Sequence, residues 1–371
     1  MSGTPPSLDP TSCRGRQDKL RGLLEKRGLD AAVFFDRHYA YALTGYWHGQ
    51  PLTPTAVLIA LDGEAAIVTH EENPEAPAAD RVIPYVPNHL FTLKANLSGE
   101  LATALNPSLR SFTAIGTCQQ TPSALLEAGR CEDVTEDYQY LRRHKDPDEV
   151  EALRFTITCA DRAYEVAHQT IEPGVTELEV MSAMLEEATF AGGEILSGWG
   201  QDFLCGAPGG FARRNREIEA GELYILDVGV GVRGYRCDLC RTISVDGELT
   251  KVQREAYEHI LKVITLGESM LRPGQSCREM YEAIHAELEG WQGHSFIHHV
   301  GHGIGLDAHE VPRINPAWDD TFELGDLIAF EPGLYSESLR GGFRLENNYL
   351  ITEEGFLQLS QFPLDPTLSS S

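Results

Sequence analysis

Residues 223–245 read LYILDVGVGVRGYRCDLCRTISV, two strand-like runs that are joined through three glycines. A hairpin of this kind brings Asp227 and Asp238 side by side on adjacent strands. An aspartate on the inner face of an apolar strand is costly unless charged partners satisfy it. Either aspartate alone is compatible with a turn or a surface position, so their meaning depends on the residues that follow downstream.

A glycine-rich motif follows at residues 298–310, HHVGHGIGLDAHE. The glycines around His302 permit close approach of the backbone and let the imidazole reach into a site. The order G-H-G-I-G is not a dinucleotide fingerprint, because it lacks the GxGxxG spacing and the strand–helix context. Histidines at 298, 299, 302 and 309 within twelve residues favour a functional cluster over four separate structural roles.

Two further carboxylates occur in strand-like runs. FEPGLY at 330–335 places Glu331 at the end of a strand, and FRLENN at 343–348 places Glu346 in another strand. Arg344 precedes Glu346 by two residues and is expected on the same face of that strand. It either orients a carboxylate there or forms an ordinary surface ion pair.

Together these motifs predict a cation site. Four carboxylates within a few ångströms repel one another strongly, and two divalent ions cancel their four charges. The candidate ligands are Asp227, Asp238, His302, Glu331 and Glu346. The sequence therefore predicts a two-metal hydrolase.

Composition limits the class of protein. The 371 residues favour two domains, and a hydrophobic content of 42% is typical of a globular protein without membrane spans. A net charge of −26 disfavours binding to nucleic acid or to anionic membranes. The first residues lack an apolar h-region, which predicts a cytoplasmic location. The eight cysteines do not form a disulfide framework, and Cys237-x-x-Cys240 is interpreted as structural.

Helix and strand signals divide the chain at about residue 140. Residues 1–14 are predicted to be a flexible N-terminus, 15–140 an α/β domain and 141–371 an α+β catalytic domain. RQDKLRGLLEKRGLD predicts a helix that ends at Gly28, and the two apolar runs around Asp62-Gly63 predict a hairpin. Asp146 as N-cap and Pro147 at the first helical position begin a long helix.

The motifs as a set resemble the pita-bread metallopeptidases, the family of prolidase, aminopeptidase P, methionine aminopeptidase and creatinase. RGLDAAVFFDRHYAYALTGY (27–46) resembles the N-terminal domain of the creatinase and prolidase branch, and HKDPDEVEALR (144–154) resembles the usual start of the catalytic domain. The resemblance covers nearly the whole chain. It implies an α/β N-terminal domain in front of a catalytic domain with the pita-bread fold, in which a β-sheet has helices outside.

The resemblance also implies roles for the candidate ligands. Asp227 is the bidentate ligand of one metal, Asp238 and Glu346 bridge both metals, and His302 and Glu331 complete the shell. The implied cofactors are two divalent ions, with Mn²⁺ preferred and Co²⁺ or Zn²⁺ as alternatives. A metal-bridging hydroxide is the implied nucleophile.

Further residues match the surroundings of the family's metal site. Glu331 matches the proton shuttle, and His309 matches the histidine that stabilises the tetrahedral intermediate. His298 matches a residue of the substrate pocket, while Tyr335 and Arg344 match a supporting polar network.

Two departures from the family pattern affect the substrate. The family places a substrate-contacting histidine about 17 or 18 residues before the first aspartate ligand, and here Gly209 and Gly210 occupy that region. The sequence has no histidine between His168 and His259. Asn347 follows Glu346 where an acidic residue is common.

The leading hypothesis is a dinuclear exopeptidase that acts on Xaa-Pro peptides or dipeptides. One alternative is a creatinase-like hydrolase that cleaves a C–N bond in a small metabolite, which the missing histidine motivates. Another is a non-catalytic binding protein of the same fold, which retention of all five ligands disfavours. The resemblance further implies a homodimer.

Overall fold

The first helix, α1 (Pro10–Arg27), begins inside the segment 1–14 that the sequence assigned to a flexible N-terminus. The side chain of Asp9 accepts a hydrogen bond from the backbone of Ser12 at 2.9 Å, and Pro10 occupies the first turn. An N-cap of this kind starts a helix without an apolar pattern, so the chain is helical from Pro10 onward. The computed structural model describes residues 3–50, 52–71, 73–86, 96–200, 202–213 and 216–367. Residues 1 and 2 of the predicted flexible segment lie outside this description.

Contacts divide the chain into two units. One unit runs from Pro6 to Arg142, and the other contains Arg143 onward together with the few residues before Pro6. The boundary predicted at about residue 140 lies close to this division between Arg142 and Arg143.

The N-terminal unit is built around a six-stranded mixed sheet. The strands are β1 (Ala31–Phe34), β2 (Ala56–Ala60), β3 (Ala65–Thr69), β4 (Arg81–Pro84), β5 (Ile115–Thr117) and β6 (Cys131–Asp133). Their order in the sheet is β4-β3-β2-β1-β5-β6. The predicted hairpin around Asp62-Gly63 is confirmed, because β2 and β3 pair antiparallel. The helices after α1 are α2 (Arg37–Thr44), α3 (Leu97–Leu109) and α4 (Thr135–Leu141).

The second unit contains two pairs of helices, and strands follow each pair along the chain. Its helices are α5 (Pro147–Thr170), α6 (Glu177–Gly192), α7 (Lys251–Met270) and α8 (Cys277–Leu288). The predicted start of α5 is confirmed, and the backbone N–H of Asp146 donates to Glu149 Oε2 at 2.9 Å. Strands β7 (Leu223–Val228) and β10 (Leu239–Ser244) form an antiparallel pair, and β8 (Gly231–Val232) and β9 (Tyr235–Arg236) form a small hairpin between them.

A five-stranded antiparallel sheet completes this unit, with the order β12-β11-β13-β16-β17. Its strands are β11 (Gly301–Gly303), β12 (Glu310–Ile314), β13 (Leu327–Phe330), β16 (Asn347–Thr352) and β17 (Gly355–Gln358), while β14 (Gly333–Ser336) pairs with β15 (Gly341–Arg344). Apolar side chains of α7 and α8, such as Ile260, Val263, Met280 and Ile284, pack against this sheet in one buried cluster. Helices α7 and α8 thus cover one face of the five-stranded sheet.

Candidate metal centre

The two aspartates of the first motif meet across the β7–β10 pair. The register sets Asp227 opposite Cys240, so Asp238, which directly precedes β10, is a diagonal neighbour on the same face. The sequence predicted the two carboxylates side by side; the structure offsets them by two residues along the strands. Arg233 and Gly234 adopt positive φ values of 50° and 91° at the turn of the inserted hairpin, as tight hairpin turns require.

The other three candidate ligands lie at or beside the strands of the five-stranded sheet. His302 is the middle residue of β11, between β12 and β13. Glu331 directly follows β13 and Glu346 directly precedes β16, and these strands pair with Phe330 opposite Asn347. Continuing that register places Glu331 opposite Glu346. The sequence predicted Glu346 inside a strand, whereas in the structure it directly precedes β16.

Donor atoms of these residues converge. His302 Nε2 lies 3.4 Å from Glu331 Oε1 and 3.7 Å from Asp238 Oδ2. Ligand atoms of Asp238, His302 and Glu346 all lie within 4.8 Å of one another. Two ligands at about 2.1 Å from a shared ion are separated by about 3–4 Å, so this spacing fits joint coordination.

Glu346 gives the clearest sign that a cation belongs here. Its side chain is buried, and neither carboxylate oxygen has a hydrogen-bond partner among the described residues. A buried carboxylate without a partner is strongly unfavourable, and it either takes up a proton or binds a cation. The donor set of carboxylate oxygens and one imidazole therefore fits divalent metal ions.

The electrostatics of the metal-free site agree with this interpretation. Burial and the neighbouring carboxylates raise the pKa of Asp227 and of Glu346 well above the usual range, and raise that of Asp238 to about 7. Burial also opposes ionisation of Glu331, but the neighbouring His299 and His302 outweigh it and hold its pKa well below the usual range. Three of the four carboxyls thus hold protons more tightly than usual, and an incoming cation competes with those protons.

A backbone contact orients the imidazole toward the centre, and a second histidine lies beside one carboxylate. His302 Nδ1 lies 2.9 Å from the carbonyl oxygen of Gly303. Because that oxygen can only accept a hydrogen bond, Nδ1 is the donor and Nε2 is left with its electron pair. His299 Nε2 lies 2.8 Å from Glu331 Oε1. The sequence counted His299 in the cluster without a role, and the structure places it against Glu331.

Comparison with known proteins identifies the family of the chain. The model of metallopeptidase family M24 matches residues 151–353, more than half of the chain. The chain belongs to metallopeptidase family M24. The Xaa-Pro dipeptidase of Pyrococcus furiosus is 34% identical over 248 residues, 64% of this chain and 68% of that protein. The Xaa-Pro dipeptidase of Pyrococcus horikoshii is 27% identical over 353 residues, 92% of this chain and 96% of that protein.

Solved structures share the fold of this M24 protein. The prolidase of Pyrococcus horikoshii superposes with a TM-score of 0.76 at 22% identity, covering 94% of this chain and 99% of that one. An aminopeptidase P of Escherichia coli superposes with a TM-score of 0.75 at 18% identity, with 97% of each chain covered. The predicted pita-bread fold is confirmed, and the protein is a metal-dependent peptidase. Among the described residues, none of the helices combines the length and apolarity needed to cross a bilayer.

A chain of polar contacts extends outward from the metal centre of the M24 protein. His298 Nε2 lies 2.6 Å from the hydroxyl of Tyr335, which accepts from Arg344 Nε at 3.0 Å. Arg344 Nη1 donates to Asp227 Oδ2 at 2.7 Å and to Asp202 Oδ2 at 2.6 Å. His298, Tyr335 and Arg344, predicted as substrate-side residues, are thereby connected to a predicted metal ligand.

Two of the predicted substrate-side and catalytic histidines are neutral at physiological pH. Burial lowers the pKa of His298 to about 4. Burial, together with His302 and His299, lowers the pKa of His309 to about 4. The ring of His309 lies 4.1 Å from that of His302, centroid to centroid, so the structure brings His309 to the metal centre.

A cavity of about 190 Å³ opens over the centre. Its lining contains the five candidate ligands with His298, His309 and Arg344, and also Gly200, Asp202, Arg236, His299 and Ala308. Sequence reasoning missed Asp202 and Arg236. Arg236 lies in the quoted hairpin two residues before Asp238, which could have suggested it, whereas Asp202 lies in an irregular segment without a motif.

Asp202 contacts the segment in which the sequence lacks the expected histidine. Its Oδ1 accepts from the backbone N–H of Gly210 at 2.7 Å, and Arg344 Nη2 donates to the carbonyl of Pro208 at 3.3 Å. A Cβ atom on Gly209 would lie 2.5 Å from Asp202 Oδ2. The Pro208–Gly210 segment therefore packs directly on Asp202, and position 209 has no space for a side chain unless Asp202 moves.

Proposed function

We propose that this M24 protein is a dinuclear exopeptidase that cleaves Xaa-Pro dipeptides or the N-terminal residue of Xaa-Pro peptides, with a metal-bridging hydroxide as nucleophile. The observation that carries the proposal is Glu346, a buried carboxylate with both oxygens unpartnered among the described residues, facing the other candidate ligands. Four carboxylates around one imidazole carry more negative charge than a single divalent ion balances, which supports two ions.

Five residues would hold the ions in this proposal: Asp227, Asp238, His302, Glu331 and Glu346. When bound, the ions supply an acidified water and polarise the scissile carbonyl. We propose Mn²⁺ as the physiological ion, with Co²⁺ and Zn²⁺ as competitors, because oxygen donors outnumber nitrogen donors four to one.

His309 and Glu331 would carry the proton and charge movements. The lowered pKa of His309 favours the neutral ring, which keeps one N–H that can donate a hydrogen bond to an oxyanion. Glu331 is ionised and contacts His299 and His302, and it can accept a proton at Oε1 or Oε2 and deliver it to the leaving amine.

The cavity residues around Arg344 would position the substrate. Arg344 contacts Tyr335, Asp202 and Asp227 together. His298, which contacts the hydroxyl of Tyr335, and Arg236 also line the cavity. The Xaa-Pro preference itself is supported by the names of the two Pyrococcus relatives, which are Xaa-Pro dipeptidases.

A metal-supplemented digestion tests the proposal. The protein is freed of metal, reloaded with Mn²⁺ until elemental analysis gives two equivalents, and incubated with Xaa-Pro dipeptides, Xaa-Pro tripeptides and matched Xaa-Ala peptides. The expected result is release of proline from the dipeptides, or of the first residue from the tripeptides, in preference to the Xaa-Ala peptides. Two bound equivalents without turnover of any peptide would contradict it.

Light scattering in the same buffer tests the homodimer that we also propose, which has twice the mass of one chain.

A creatinase-like C–N hydrolase of a small metabolite remains the second candidate. Asp202 favours it, because this carboxylate and the Pro208–Gly210 segment fill the region in which the resembling peptidases have a substrate-contacting histidine. Cleavage of small guanidino or amide metabolites by the Mn²⁺-loaded protein, without proline release, would support this candidate over the first.

A further inference from the structure

The N-terminal unit contains a second cluster of metal-ligating side chains. His48 lies in the segment after α2, and His70 and Glu71 directly follow β3. Ligand atoms of the three residues all lie within 4.8 Å of one another. The rings of the two histidines are 4.6 Å apart, centroid to centroid, at an interplanar angle of 70°.

The two histidines differ in their contacts. His48 Nε2 lies 2.5 Å from the hydroxyl of Thr53, which also lies 3.4 Å from the carbonyl oxygen of Gln50. On the other side of the ring, His48 Nδ1 lies 3.3 Å from Glu71 Oε1. His70 Nδ1 is buried and has no hydrogen-bond partner among the described residues.

A neutral His48 offers this position either an N–H or a lone pair, and a metal ion that binds there replaces the proton. Burial and the neighbouring His70 lower the pKa of His48, which favours the neutral ring that a metal ion binds. Two ligands at about 2.0–2.1 Å from one ion in tetrahedral geometry are separated by about 3.3 Å. The distance between His48 Nδ1 and Glu71 Oε1 matches this value, and it resembles the 3.4 Å between His302 and Glu331 in the M24 site.

We propose that His48, His70 and Glu71 form a zinc site in the N-terminal unit, separate from the peptidase centre. Two imidazoles and one carboxylate suit Zn²⁺, and the side chain of Glu71, 42% exposed, leaves one side open for a water as fourth ligand. Thr53 orients His48 as an outer hydrogen-bond partner of a ligating histidine does. The ion connects the segment after α2 to the end of β3, where the hydroxyls of Tyr46 and Thr69 already lie 2.7 Å apart.

The test separates this site from the peptidase centre. The full chain carries Asp238→Asn and Glu346→Gln to weaken the peptidase centre, and Zn²⁺ binding is measured by equilibrium dialysis with elemental analysis. Adding His70→Gln or Glu71→Gln is expected to remove one Zn²⁺ equivalent and to weaken binding at least tenfold. Glu75→Gln, an equal change of charge at an exposed position nearby, is expected to remove none.

A melting experiment gives a second readout that does not depend on His48, whose buried ring makes its replacement a risk to folding. Zn²⁺ is expected to raise the melting temperature of the Asp238→Asn/Glu346→Gln protein, and to raise it less after His70→Gln is added. Circular dichroism checks that each variant is folded. Equal Zn²⁺ content and equal melting shifts with and without His70→Gln would overturn the proposal. The peptidase assay has no part in this test, so failure here leaves the proposed function untouched.

Discussion

Arg344 Nη1 donates to Asp227 Oδ2 at 2.7 Å, which puts a buried guanidinium in direct contact with a candidate metal ligand. Neighbouring acidic groups, Tyr335 and Asp227 among them, raise the pKa of Arg344 against the effect of burial, so the guanidinium stays charged. The guanidinium therefore offsets part of the repulsion among the carboxylates whether or not a metal is bound.

Replacing this cation should make the protein more dependent on metal. Arg344→Gln leaves Asp227 and Asp202 without their partner, and the metal-free protein should lose about 3 kcal/mol of stability. Because divalent ions compensate for part of the lost charge, the rise in melting temperature on adding Mn²⁺ should be larger than in the wild type. Arg162→Gln, which removes an exposed ion pair with Glu187, is the control and should change stability by less than about 1 kcal/mol. An equal Mn²⁺-induced shift in Arg344→Gln and wild type would contradict this role.

Glu346→Gln should raise the stability of the metal-free protein and lower its affinity for metal. Without metal, the buried carboxyl at pH 8 either carries a charge that its neighbours repel or takes up a proton, and both are unfavourable. The amide avoids both, so stability at pH 8 should rise by about 1–2 kcal/mol. With metal, it removes a ligand, so affinity for Mn²⁺ should fall at least about tenfold. Chemical denaturation and metal titration measure the two effects. Glu354→Gln, at an exposed position, should produce neither, and a Glu346→Gln protein that is destabilised without metal would refute the proposed ligand role.

Much of the fold and of the ligand set could be predicted from local chemistry. Asp146 and Pro147 begin a helix by capping, and the carboxylates in apolar strands have an unfavourable burial energy that only partners relieve. Register and irregular segments could not be predicted in the same way. The offset between Asp227 and Asp238 follows from tertiary strand pairing, and the position of Asp202 follows from a segment without periodicity. α1 began early because its N-cap, Asp9, precedes a polar first turn that carries no apolar pattern.

Gly209 should tolerate a side chain only when Asp202 is shortened. The added Cβ of Gly209→Ala would lie 2.5 Å from Asp202 Oδ2, a carboxylate that Arg344 and Gly210 hold in place, so a loss of about 1–3 kcal/mol is expected. In an Asp202→Ala background the same change should cost less than half as much. A double-mutant cycle by chemical denaturation measures the coupling, and additive effects of the two changes would show that they do not interact.

Ionisation of Asp161 should lower the free energy of unfolding as the pH rises through the weakly acidic range. Burial raises its pKa to about 6 despite the charge of Arg241, and its Oδ1 has no hydrogen-bond partner among the described residues. A carboxyl with a raised pKa in the folded state binds its proton more tightly there than in the unfolded chain. The destabilisation is therefore absent below about pH 4, grows between pH 4 and 6, and is constant above.

Asp161→Asn removes that titration. It should stabilise the metal-free protein by about 1–2 kcal/mol at pH 7.5, a value discounted for the partial exposure of the side chain, and should have little effect at pH 4. Denaturant unfolding at a series of pH values measures this difference. Asp18→Asn, at a side chain that is 73% exposed, is the matched control and should give a pH-independent difference near zero. A stabilisation by Asp161→Asn that is larger at pH 4 than at pH 7.5 would contradict the expected direction of the pH dependence.

His309 should contribute to turnover without contributing to metal content. Its ring lies beside that of His302 in the cavity, and it is outside the set of five candidate ligands. If its N–H stabilises the oxyanion, His309→Ala should lower kcat on an Xaa-Pro substrate by about 10²–10³-fold while elemental analysis still gives the wild-type metal content. His309→Asn keeps a hydrogen-bond donor in the same region and should recover part of the rate. Loss of metal in both variants would instead make His309 a ligand, and an unchanged kcat would remove it from the mechanism.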